Sequence, residues 1–79
     1  MRLPRDVSGA EVISALYRDW GYQKVSQVGS HAVLETEEPA HHRIATPAHK
    51  SLRVGTLSNI LRAVASHKGV RREEILGSL

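Results

Sequence analysis

Val12, Ile13, Leu16, Tyr17 and Trp20 recur at helical spacing and predict one apolar face on a first helix running to about Asp19. The preceding Ser8-Gly9-Ala10-Glu11 has capping-box spacing. In that motif a serine hydroxyl and a glutamate carboxylate satisfy the unpaired amides of a helix start. Gly21 then reads as the helix stop. From there the period changes. Residues 22–28 (YQKVSQV) are β-prone and half polar, 31–37 (HAVLETE) read as a second strand, and 41–46 (HHRIAT) as a third. Gly29–Ser30 is the turn between the first two strands, and Glu38–Pro39 is the break before the third. A polar loop, 47–55, leads to a second helix with Leu57, Ile60, Leu61 and Val64 on its apolar face. Thr56 is the expected N-cap, and Gly69 the stop after Lys68. RREEILGSL closes the chain as a short helix anchored by Ile75 and Leu76. The predicted fold is α+β, in the order α-β-β-β-α plus a short C-terminal helix: a three-stranded antiparallel sheet with its helices on one face, in one domain over residues 1–79.

Strand parity sorts the histidines. If Leu34 and Ile44 face the helices, then Ala32, Thr36, His42 and Thr46 share their side. His31, Val33, Glu35, His41, Arg43 and Ala45 then point to the open face. The adjacent pair His41–His42 is thereby split, one side chain inward and one outward.

Composition narrows the classes. With 79 residues, no Phe, one Trp and two Tyr, the core is thin, and a partner covering part of the surface would stabilise the domain. Absence of cysteine excludes disulfides and thiolate zinc sites. MRLPRDVSG has no signal-peptide apolar run, and no stretch approaches the ~18 apolar residues of a membrane span. A soluble, cytoplasmic chain with no membrane association is expected. The net charge of +3 conceals a segregation. Between Glu38 and Glu73 there is no acid, while Arg43, Lys50, Arg53, Arg62, Lys68, Arg71 and Arg72 all lie there. Such a face suits an anionic partner, with nucleic acid first in line.

Four of the five histidines fall within GSHAVLETEEPAHHRIATPAH, residues 29–49. A metal site needs three or four converging ligands, and His41 and His42, on opposite sides of a strand, do not chelate one ion; no metal or other cofactor is expected. There is no nucleophile elbow and no phosphate-binding glycine loop. Acid–base chemistry on an anionic substrate remains. Histidine exchanges protons near neutrality, and RNA cleavage needs only a base for the 2′-OH, an acid for the leaving 5′-oxygen, and cations at the phosphate. His31, outward at a turn-to-strand junction, is the candidate. A non-catalytic RNA-binding module stays open beside it, since a cationic face alone reads RNA shape and backbone.

The order of motifs resembles the HicA (YcfA-like) toxin family, small RNA-cleaving members of toxin–antitoxin pairs with a double-stranded-RNA-binding-domain-like fold. The matching stretches are LPRDVSGAEVISAL (3–16), WGY (20–22), VSQVGSH (25–31), TPAH (46–49), VGTLSNILRAV (54–64) and REEIL (72–76). The resemblance implies an endoribonuclease, an mRNA interferase that arrests translation and growth. Its catalytic residue is the histidine of Gly-Ser-His, here His31, acting without a metal cofactor. His49 occupies the Pro-x-His position as a candidate assistant. Lys24, Ser30, Arg43 and Lys50 are the candidates for RNA contact. The implied partners are an mRNA substrate and a HicB-like antitoxin that forms a hetero-oligomer and masks the catalytic histidine. An inactive toxin serving only as antitoxin ligand is the further alternative. The chain departs from the family pattern at Ala32, in the longer link VASHKGVRREE, and at Arg71, where Ser or Thr is the common cap.

Overall fold

A computed structural model describes residues 3, 4 and 6–79; Met1, Arg2 and Arg5, which fall in the N-terminal stretch read for a signal peptide and in the first motif, lie outside the described residues. The first helix, α1 (Gly9–Trp20), begins at the predicted capping box. The Ser8 hydroxyl accepts from the Glu11 amide at 3.0 Å, and the Glu11 carboxylate accepts from the Ser8 amide at 3.2 Å. Gly21 ends it in the left-handed conformation (φ 72°). The buried stripe runs through Val12, Ala15 and Leu16. Tyr17, read as part of that face, is instead 66% exposed. It lies about 100° around the axis from Leu16, past the border held by half-buried Ile13 and Trp20.

Strands β1 (Gln23–Val28), β2 (His31–Thr36) and β3 (His42–Pro47) form one antiparallel sheet in the order β1-β2-β3. Each expected strand is present with its bounds moved by one residue. Tyr22, expected to open the first strand, precedes β1 and is fully buried. A register irregularity between Lys24 and Ser26 leaves Val25 without a partner on β2.

The predicted parity holds on the inner face: Ala32, Leu34, Thr36 and Thr46 are buried, and His42 and Ile44 are partly so. On the open face one position departs from expectation. Val33 is only 7% exposed, because mid-sheet on the central strand it is flanked by Ser26 and Ala45, which shield a small side chain with no layer above it.

The second helix, α2 (Val54–Lys68), corrects one expectation: Arg53, not Thr56, is its N-cap, and no side chain caps it. Tertiary anchoring takes the place of a cap. Leu52 is buried and its amide donates to the Val7 carbonyl at 2.7 Å, which fixes the loop so that the Leu57 amide reaches the Arg53 carbonyl at 2.9 Å. Gly69 ends α2 as expected, and α3 (Arg72–Leu76) buries Ile75. At Arg71, where a hydroxyl cap is missing, the main-chain amide donates to the Glu74 carboxylate at 2.9 Å, half of a capping box.

The core joins Val12 and Leu16 of α1, Tyr22, Leu34 of β2, and Leu61 and Val64 of α2. The architecture is therefore the α-β-β-β-α arrangement of double-stranded-RNA-binding domains with a short added helix.

One core position is imperfect. Thr46 is completely buried and its Oγ1 finds no partner among the described residues. An unsatisfied buried hydroxyl costs free energy that an isosteric methyl does not. Thr46→Val is expected to stabilise the domain by about 1 kcal/mol, a rise of roughly 4–8 °C in a calorimetric melt.

Candidate active site

Three sequence stretches far apart in the chain meet at one end of the sheet. The turn at Gly29 (φ 58°) reverses the chain and delivers His31 as the first residue of β2, with Val28 opposite it on β1 and Pro47 opposite it on β3. The Ala48 amide donates to the Ser30 carbonyl at 2.6 Å, extending that pairing past the strand end. One residue further, the His49 carbonyl accepts from the Gly9 amide at 2.8 Å. Two main-chain bonds thus stitch the Thr-Pro-Ala-His segment between the Gly-Ser-His turn and the start of α1.

Gly9 is indispensable to this junction. A Cβ there would collide with the Pro47 carbonyl oxygen and lie 2.9 Å from the Ala48 Cα. The sequence marked Gly9 only as part of a capping box; the signal it carries is a close approach of two backbones, invisible until the loop's position is known.

His31 is exposed. It sits at one end of a cleft of about 400 Å³ between β3 and α2, whose walls include Ile44, Pro47, Thr56, Asn59, Ile60 and Ala63. Thr56 and Asn59 were passed over as site residues in the sequence. The spacing 56, 59, 60, 63 on one helix face is their signal. Of the other candidates, Ser30 and Lys50 flank the junction, both exposed. Arg43 shares the open face by parity but not the neighbourhood. It lies opposite Glu35, four residues along the strand and roughly 13 Å from the His31–Pro47 pair, and approaches the Glu35 carboxylate at 3.8 Å. Lys24 is likewise remote, opposite Leu34 on β1.

The remaining histidines gather at the other end of the sheet. His42 points inward, where its Nδ1 shares a hydrogen bond with the Tyr22 hydroxyl at 2.8 Å and its ring stacks on His67, centroids 4.5 Å apart. His67 Nε2 donates to the Ala40 carbonyl at 2.8 Å. Lys68 Nζ donates to Thr36 Oγ1 and to the Glu38 carbonyl, 5.1 Å from the centroid of the Tyr22 ring. Burial pushes the Tyr22 phenol up to about 12, which keeps it protonated. Burial also lowers His42 below the ordinary histidine value, with His67, His41 and Lys68 adding repulsion. Lys68 is lowered too, mainly by burial and against the pull of Glu38. His41, exposed, is raised by its hydrogen bond to Glu37, the Glu37 charge adding to the effect. Glu35, Glu37 and His41 bring one ligand atom each within 4.8 Å of one another, but Glu37 and His41 already pair together and Glu35 faces Arg43. The outward–inward split of His41 and His42 is therefore as parity predicted.

The His42 shift has a sign. Its folded pKa lies below the unfolded value, so the unfolded chain binds the extra proton first, and stability present above pH 6.5 is lost as the pH falls through the folded value. Melting temperatures should drop on going from pH 7 to pH 5. His42→Gln, which keeps an acceptor for Tyr22 but does not titrate, should flatten that drop; an unchanged pH profile would dissociate it from His42.

An α+β domain of the double-stranded-RNA-binding type, with an exposed histidine at a stitched sheet end and a cationic second half, is a small basic module. A family model, the HicA toxin of bacterial toxin–antitoxin systems, matches residues 9–65, and the chain belongs to that family. No curated protein and no solved structure matches it. The match spans all three stretches that meet at His31. Among the described residues no helix is long and apolar enough to cross a membrane.

Proposed function

We propose that this toxin is an endoribonuclease that cleaves mRNA by histidine acid–base catalysis, with His31 as the catalytic residue and no metal cofactor. The observation that carries the reading is the main-chain joining of Gly9, Gly-Ser-His and Thr-Pro-Ala-His beside the exposed His31, in a chain of the HicA family. In this reading a base takes the proton of a 2′-OH, that oxygen attacks the neighbouring phosphorus, and an acid returns a proton to the departing 5′-oxygen. The products are a 2′,3′-cyclic phosphate and a 5′-hydroxyl. His31 serves as one of the two proton-transfer groups, and His49, held on the adjoining loop, is the candidate for the other. Ser30 and Lys50, both exposed beside His31, are the candidates to contact the scissile phosphate; Arg43, further along the open face, suits a more distant phosphate of the same strand, and Lys24, exposed on β1, is the remaining candidate for RNA contact.

A HicB-like antitoxin, binding over the open end of the sheet, would cover His31 and stabilise a thin-cored domain. Both toxin and antitoxin would then act in the cytoplasm. Expression of the chain alone in bacterial cells is expected to arrest growth with loss of full-length mRNA, and co-expression of such an antitoxin to restore both. Growth arrest with intact mRNA would contradict the nuclease reading.

A further inference from the structure

We infer that the cleft beside His31 is a subsite for one unpaired nucleobase of the RNA, its edge read by the Asn59 amide. The inference rests on the reading of this chain as an RNA-cleaving toxin and goes beyond it by assigning substrate selectivity. The cleft's chemistry selects among the parts of an RNA strand. Its walls are apolar, from Ile44, Pro47, Ile60 and Ala63, and apart from His31 at its end no titratable side chain lines it. A phosphate seeks cations and would gain little there. A base is uncharged, with two apolar faces and a polar edge, and suits such walls. A polar edge in turn needs partners, and Asn59 supplies them from the same helix face as Ile60 and Ala63. Its amide offers a donor and an acceptor side by side, the arrangement that pairs with adjacent acceptor and donor groups on a base. It makes no hydrogen bond within the described residues, and it is exposed, so binding a base costs no existing contact.

Position completes the case. With His31 at the cleft's end, a base held there puts its own ribose and phosphates next to the imidazole. Selection of the base and selection of the cut site then become one event.

The test separates binding from cutting. Full-length His31→Ala protein would be titrated by fluorescence anisotropy against single-stranded A12, C12 and U12 RNAs, and wild-type protein would be assayed for cleavage of the same oligonucleotides. One homopolymer is expected to bind about tenfold tighter than the weakest, and adding Asn59→Leu, an exposed helix position, should reduce the spread to about twofold. Asn59→Asp, which removes the donor, should change which RNA is preferred. Equal affinities in the His31→Ala parent, or a spread that survives Asn59→Leu, would overturn the inference. So would an Asn59→Leu variant that keeps its RNA preference but loses affinity for the antitoxin, since the cleft would then serve the protein partner. Base-selective binding through Asn59 by a protein that cuts none of the RNAs would sink the nuclease reading and leave the subsite standing.

Discussion

His31→Ala is expected to lower the rate of RNA cleavage by about 10²–10⁴-fold, the usual contribution of a positioned acid or base, and to abolish growth arrest. The fold should be indifferent. His31 is exposed, makes no side-chain hydrogen bond within the described residues, and lies outside the apolar core. A melting temperature within a few degrees of wild type would accompany the loss of activity. His31→Gln should be nearly as inactive, because it keeps size and polarity but transfers no proton at neutral pH. Addition of a chelator should leave wild-type cleavage intact. If His31→Ala cut RNA at the wild-type rate, the proton-transfer role would pass to another group, and His49 would be the first to examine.

Gly9→Ala is expected to be the most damaging one-methyl change in the chain. Its Cβ would meet only backbone, the Pro47 carbonyl and the Ala48 Cα, so no rotamer change relieves the collision. Either α1 or the loop carrying His49 must move, and the Gly9–His49 main-chain bond is lost with it. Overpacking of this kind costs about 3 kcal/mol, a fall of roughly 15 °C in the melting temperature of so small a domain. Gly55→Ala is the control. Gly55 lies in the first turn of α2 with nothing within 4 Å of the added methyl, so alanine there should stabilise by about 0.5–1 kcal/mol. Because Gly9 also holds the His49 loop, Gly9→Ala should lose cleavage even at temperatures where it remains folded. Comparable melting of the two alanine variants would contradict the close approach.

The order and type of every element were legible in the chain, because period-3.6 and period-2 patterns are local and the stops at Gly21, Gly29 and Gly69 fall at left-handed backbone positions. What escaped was tertiary. Thr56 looked like an N-cap because a hydroxyl precedes an apolar run, yet burial of Leu52 started the helix three residues earlier without one. Tyr17 matched the helical spacing but fell beyond a stripe narrowed to Val12, Ala15 and Leu16. Of the candidate site, the outward position of His31 followed from parity alone. The nearness of Gly9 to Pro47, the stacking of His42 on His67, and the cleft shared by His31 and Asn59 join residues tens of positions apart, and no local pattern encodes them.

The most direct measurement is cleavage by purified protein of an RNA oligonucleotide and of its twin carrying a single 2′-deoxy substitution at the mapped cut site. Wild-type protein should cut the RNA to a 2′,3′-cyclic phosphate and a 5′-hydroxyl and spare the substituted bond, and His31→Ala should cut neither. Cleavage of the 2′-deoxy linkage, or RNA cleavage by His31→Ala at the wild-type rate, would contradict histidine-driven attack by the 2′-oxygen.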